Sequence, residues 1–105
     1  MKLIARGVGV TTGIVWGKAK IINEKTRIDS IQENDILVID SSNPMYALYL
    51  FKASGLLIRN GARLAHICLI ATEMEIPCIT QIGNAIINEN SWICVDGKEG
   101  CVYEK

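Results

Sequence analysis

Two short apolar runs constrain this chain more than anything else in it: Ile36-Leu37-Val38-Ile39 and Leu56-Leu57-Ile58. Runs this short, apolar at every position, are the mark of strands buried on both faces. Between them, Ser42-Asn43-Pro44 opens a helix, with a capping side chain followed by proline at the first helical position. The spacing predicts that helix over 45–53, with Gly55 as its stop. A second helix is expected over 64–74, where Leu64, Ile67, Cys68, Ala71 and Met74 recur at helical spacing and Pro77 ends the pattern. Cys78-Ile79-Thr80 returns as a strand. Upstream, Leu3-Ile4-Ala5 reads as a strand, the glycine-punctuated stretch 7–13 as a turn or bulge, 14–22 as a strand and 25–34 as a loop. Ser91 to Val95 and Cys101 to Tyr103 flank Asp96-Gly97-Lys98-Glu99-Gly100, a hairpin signal. The expected fold class is α/β, a layered domain rich in strands with two or three helices.

Composition narrows the function classes. A length of 105 residues fits one domain, spanning 1–105. An apolar fraction of 50% and a mean hydropathy of +0.25 exclude a disordered chain. Eleven Lys and Arg balance eleven Asp and Glu, so the basic surplus of a nucleic-acid binder is missing. The apolar runs are too short to span a membrane. Charge and glycine come too early in Met1-Lys2-Leu3-Ile4-Ala5-Arg6-Gly7 for a signal peptide, so a cytoplasmic location is expected. Cys68, Cys78, Cys94 and Cys101 include no Cys-x-x-Cys pair, which points to buried, reduced thiols and no metal site. No cofactor is expected. The glycines at 7, 9 and 13 lead into a strand without a following Lys-Ser or Lys-Thr, and read as turn geometry rather than a phosphate loop. Trp16 and Trp92 read as core or edge fillers.

The segment with chemical potential runs from Ile58 to His66: a strand, a turn containing Gly61, then a helix with the chain's one histidine in its first turn. Amides at a helix start have no intrahelical acceptor and can hold an anion. The positive end of a helix dipole favours the neutral form of an imidazole, whose free ring nitrogen is a nucleophile. A phosphorylated product would then sit where negative charge is stabilised. Arg63, Arg59 and Lys52 are candidates for additional positive charge. The plainer alternative is that His66, between Ala65 and Ile67, is a packed side chain.

The stretch Gly61-Ala62-Arg63-Leu64-Ala65-His66-Ile67-Cys68-Leu69-Ile70-Ala71-Thr72-Glu73-Met74-Glu75-Ile76-Pro77 resembles the phosphohistidine signature of the phosphoenolpyruvate-utilising enzymes, Gly-Gly-x-Thr-Ser-His-x-Ala-Ile-x-Ala-Arg-Glu-x-x-Ile-Pro. That family includes pyruvate phosphate dikinase, phosphoenolpyruvate synthase and the first enzyme of the sugar phosphotransferase system. The likeness extends to Gly7-x-Gly9 and Gly13-x-x-x-Gly17-Lys18-Ala19, to Asn34-Asp35-Ile36-Leu37-Val38, to Pro44, to Ala53-Ser54-Gly55-Leu56-Leu57, and to Gly83-Asn84-Ala85 and Val95-Asp96-Gly97-x-x-Gly100-x-Val102. It implies a swivelling β/β/α sandwich, the mobile domain that carries a phosphoryl group between two active sites. It makes His66 the phosphoryl acceptor and places Gly61, Ala62 and Arg63 around the phosphate. The implied partners are an ATP-grasp-type nucleotide-binding protein and/or a barrel protein that binds phosphoenolpyruvate, acting in trans. The chain alone would then be part of a phosphotransferase system, not a complete enzyme.

Four positions depart from the signature: Ala62 replaces its second glycine, Leu64 its threonine, Ala65 its serine and Thr72 its arginine. Two hydroxyl-class groups and a cation are thereby absent, each worth about 1.5–3 kcal/mol to a bound phosphoryl group. These departures motivate a rival expectation, a non-catalytic binding module that keeps the fold. A third is an assembly role, with an edge strand joining copies into a homo-oligomer.

Overall fold

The computed structural model describes residues 1–105. Eight strands form one sheet: β1 (Lys2–Arg6), β2 (Val8–Thr11), β3 (Ile14–Ile21), β4 (Asp35–Ser41), β5 (Gly55–Asn60), β6 (Cys78–Thr80), β7 (Trp92–Asp96) and β8 (Cys101–Glu104). Two helices accompany them, α1 (Ala47–Leu50) and α2 (His66–Glu73). The strand order is β1-β8-β7-β3-β4-β5-β6-β2. Strands β3, β4, β5 and β6 run parallel, and the remaining pairings are antiparallel.

Alternation along β4 and β5 divides the core in two. Leu37, Ile39, Leu56 and Ile58 meet the helices, packing on Tyr46, Leu50, Ile67, Cys68 and Ala71. Ile36, Val38 and Leu57 point to the other side, where they meet Ile93, Val95, Val102 and Ala5. The antiparallel strands thus fold over the parallel ones, and helices cover the far face: a β/β/α arrangement. Each fully buried Leu or Ile contributes about 1.5–3 kcal/mol, which explains why the two apolar runs carry no polar residue.

The sheet curls because its two edge strands are consecutive in sequence. β1 and β2 lie at opposite edges and are joined through Gly7 alone, whose amide donates to Gly100 O at 2.9 Å. Glycine is required along this seam. A Cβ on Gly9 would overlap the carbonyl of Gly97, and one on Gly97 would overlap the carbonyl of Thr11.

Several expectations need correction. Residues 8–11, expected as part of a turn, form β2, because Val10 packs on the helix-side core and Thr11 is buried. The helix expected over 45–53 is a 3₁₀ turn at Pro44–Tyr46 followed by a single α-turn. Its start is as expected, with the Asn43 side chain accepting from the Met45 amide at 2.9 Å. Gly55 does not stop a helix; it is the buried first residue of β5, with Ile36 and Val15 pressed against it. Trp16 and Trp92 are neither core nor edge fillers: they sit on the interior strands β3 and β7 and are 36% and 43% exposed. All four cysteines are buried. No helix is long and apolar enough to cross a membrane.

Candidate functional site

His66 stands at the carboxyl end of the parallel strands, the edge where ligands of such sheets collect. The buried strand β5 delivers the chain to this edge, Gly61–Ala65 turns it, and α2 begins at His66 and runs back to feed β6. Gly61 is wedged in place. A Cβ there would lie 3.1 Å from Ile58 Cγ2 and 3.2 Å from Thr80 Oγ1, and its carbonyl accepts from the Thr80 hydroxyl at 2.9 Å. The turn closes with the Ala65 amide donating to Ala62 O at 3.1 Å.

Ala65 is the N-cap, in extended conformation (φ −59, ψ 150), and contributes no side-chain bond. Its carbonyl accepts from the amides of Cys68 at 2.9 Å and Leu69 at 3.2 Å. The amides of His66 and Ile67 have no acceptor within the protein. A serine or threonine at the cap would occupy one of the free amides of this first turn; alanine leaves the helix start open.

The His66 side chain is exposed, while Ile67 and Cys68 beside it are buried and anchor the turn. It is not the packed imidazole of the plainer alternative. Ala62 and Arg63 are exposed in the preceding loop, and Arg63 forms no ion pair. Leu64, where the signature has threonine, is 77% exposed. Thr72 does not replace the cation of the signature. Its hydroxyl donates to Cys68 O at 2.9 Å and lies 3.2 Å from that of Thr11.

Two of the candidate cations are engaged elsewhere. Arg59 Nη1 donates to the carbonyls of Gly83 at 3.0 Å and Ala85 at 2.7 Å, and its Nε is 3.7 Å from Asp40 Oδ1. It latches the loop after β6 to the end of β5. Lys52 lies before β5, at the opposite end of that strand from His66, where its charge acts on Asp29. Arg63 is the cation that remains in the His66 loop. Thr80, which holds the Gly61 carbonyl, gave no signal in the sequence, since it ends a strand and touches the loop only through the fold.

The helix also ends in a defined way. The Ile76 amide bonds to Ala71 O at 2.9 Å and the Glu75 amide to Thr72 O at 3.1 Å, with Glu75 at φ 57. This is a left-handed Schellman stop, completed before Pro77 is reached.

A strongly curled β/β/α sheet with an exposed histidine at the head of its second helix has the architecture of a swivelling domain. Residues 31–100 match the family described as "PEP-utilising enzyme, mobile domain", and the chain belongs to that family. It is 34% identical, over 98% of its length, to a probable phosphoenolpyruvate synthase of Methanothermobacter thermautotrophicus, of which it covers 15%. It is 32% identical, again over 98% of its length, to the phosphoenolpyruvate synthase of Aquifex aeolicus, covering 13% of that protein. The chain thus spans about a seventh of the length of these relatives. Among solved structures, the solution structure of an Enzyme I protein (nEIt) superposes with a TM-score of 0.65 at 21% identity, over 76% of this chain and 34% of that one. The Thermococcus kodakaraensis aconitase X structure superposes with a TM-score of 0.71 at 13% identity, over 96% of this chain and 97% of that one. These structural likenesses establish the fold.

Proposed function

We propose that residues 1–105 act as one phosphoryl carrier in the cytoplasm, with His66 as the acceptor. The observation that supports this reading is the exposed imidazole at a helix start whose first two amides lack acceptors. In the step, a ring nitrogen of neutral His66 forms a bond to phosphorus as the bond from phosphorus to the donor's leaving oxygen breaks. The other ring nitrogen gives up its proton to solvent. The leaving group departs as a nucleoside phosphate when ATP is the source, or as enolpyruvate when phosphoenolpyruvate is. The carrier then gives the phosphoryl group to its acceptor in a second in-line displacement. Arg63 and the amides of His66 and Ile67 hold the charge on the phosphoryl oxygens, and Gly61 and Ala62 shape the turn that sets their positions. On this reading the partners are those that the family resemblance implies, an ATP-grasp-type protein and/or a phosphoenolpyruvate-binding barrel, which face His66 in trans.

The test is labelling of the protein with phosphoramidate, a small donor that needs no partner. It is repeated with radiolabelled ATP or phosphoenolpyruvate and a phosphoenolpyruvate synthase whose own carrier histidine is substituted. The expected product is acid-labile, alkali-stable phosphate that disappears in His66→Ala. Failure of every donor to label the wild-type protein overturns the reading.

Ala62, Leu64 and Ala65 support a second reading, a binding module whose loop surrounds His66 with apolar groups. Leu64, at 77% exposure, offers contact to a protein surface and no bond to a phosphate. A partner that binds wild type and His66→Ala equally, with no phosphate transferred, is the result this reading expects.

A further inference from the structure

A second concavity opens on the same edge of the sheet, beyond the carboxyl ends of β3 and β4. It is a cleft of about 460 Å³, within the range of small-molecule sites, lined by Asn23, Glu24, Lys25, Asp40, Ser41 and Tyr46 among others. Three charges face it without strong partners. Glu24 and Lys25 form no ion pair, and Asp40 has only the long 3.7 Å contact to Arg59. Tyr46 is the buried polar side chain of the lining, at 8% exposure, and its ring is fixed edge-on against Tyr49 with centroids 5.6 Å apart. The neighbouring Tyr49 hydroxyl donates to Thr26 O at 2.6 Å, but the Tyr46 hydroxyl bonds to nothing in the protein. No sealed side-chain polar atom lacks a partner, so that hydroxyl reaches solvent, and Tyr46 is one of the residues that line the cleft. Water alone satisfies that hydroxyl, so it is free to bond a ligand in water's place.

We infer that this cleft binds a small zwitterion of amino-acid size. Its ammonium end faces the carboxylates of Glu24 and Asp40. Its carboxylate faces the Lys25 ammonium and accepts the Tyr46 hydroxyl proton in a hydrogen bond. Opposite charges on one short lining favour a ligand that carries both signs over a simple anion or cation. The site is separate from His66 but shares its rim. Asp40 contacts Arg59, which closes the end of β5, and Ser42 Cβ is 3.7 Å from where a Gly61 Cβ would stand.

The experiment is a titration of the ¹⁵N-labelled protein with each of the twenty standard amino acids, with methylamine and acetate as single-charge controls. At least one amino acid is expected to shift the amides of Asn23–Lys25 and Asp40–Asn43 saturably below about 1 mM, a level typical of metabolite sites. Neither control should do so. Tyr46→Phe should keep the folded spectrum and weaken binding at least fivefold, as should the exposed variant Lys25→Met. Absence of any saturable shift with all twenty, or equal binding by wild type and both variants, overturns the inference. The phosphoryl-carrier reading is untouched by that outcome, because phosphoramidate labelling of His66 is read separately.

Discussion

Thr72 on α2 and Thr11 on β2 join their hydroxyls at 3.2 Å, tying the helix that begins at His66 to the strand that closes the sheet. The direction of this bond is fixed by a second one. Thr72 spends its proton on Cys68 O at 2.9 Å, so Thr11 is the donor. A side chain that stands where the family signature has arginine thus serves as a structural link. Thr11→Val removes the donor from a buried position and is expected to cost about 1 kcal/mol. Chemical denaturation checks this, and a double-mutant cycle with Thr72→Val should show coupling between the two sites.

His66 and Arg63 are exposed, so their replacement should leave the denaturation midpoint unchanged. His66→Asn is expected to abolish phosphoramidate labelling. Arg63→Ala should slow it about tenfold, the equivalent of roughly 1.4 kcal/mol, near the lower end for one charge-assisted hydrogen bond. Labelling rates at fixed donor concentration, read beside melting curves, separate chemistry from folding.

Glu75 holds a left-handed conformation, φ 57, that costs a residue with a Cβ about 1–2 kcal/mol. Its side chain is exposed and takes part in no ion pair. Glu75→Gly should therefore stabilise the protein by roughly 0.5–1 kcal/mol, after the added freedom of glycine in the unfolded chain is subtracted. A higher urea midpoint with an unchanged slope is the expected reading.

The seam of the curled sheet makes the opposite prediction. Gly97→Ala drives a methyl group into the Thr11 carbonyl, which is backbone and cannot rotate aside. A loss of about 1–3 kcal/mol is expected. Gly83→Ala is the contrast: a Cβ there meets nothing within 4 Å, so only its φ of 66 weighs against it.

The thiols set the alkaline limit. In the Cys68–Cys78 pair the shared hydrogen bond lowers Cys68 and raises Cys78, so the two shifts oppose, while burial, aided by the charge of Asp96, raises Cys94 above the ordinary thiol value of 9.0. Above that ordinary value the unfolded chain has released the Cys94 proton that the folded one still holds, so stability should fall as pH rises past about 9. Urea midpoints between pH 7 and 10, under reducing conditions, should decline. The decline should be smaller in Cys94→Ala.

Most of the scaffold was legible in the sequence because its signals are local. Apolar runs without interruption gave β4 and β5, and Asn43-Pro44 gave the helix start. The glycine-bearing hairpin appeared as β7 and β8. Strand β2 escaped because Val8-Gly9-Val10-Thr11 owes its conformation to β6 and to α2, both distant in sequence. The site divided in the same way. The motif singled out His66 as the candidate and its place at a helix start was legible, but Arg59 could be assigned to its latch only once the carbonyls of Gly83 and Ala85 had come into reach. Thr80 and Tyr46 left no local trace, because what matters about each is a contact made, or left unmade, across the fold.

The pairing of the first strand with the last has a mechanical result. Lys2 lies opposite Glu104 on neighbouring antiparallel strands, with backbones about 5 Å apart. Any polypeptide continuing from either end would depart from one spot on the surface. Two tethers fastened at a single point would restrain a body's position far more than its orientation, so a unit joined in that way could pivot like a door on one pin and sweep the imidazole through a wide arc without bending a strand.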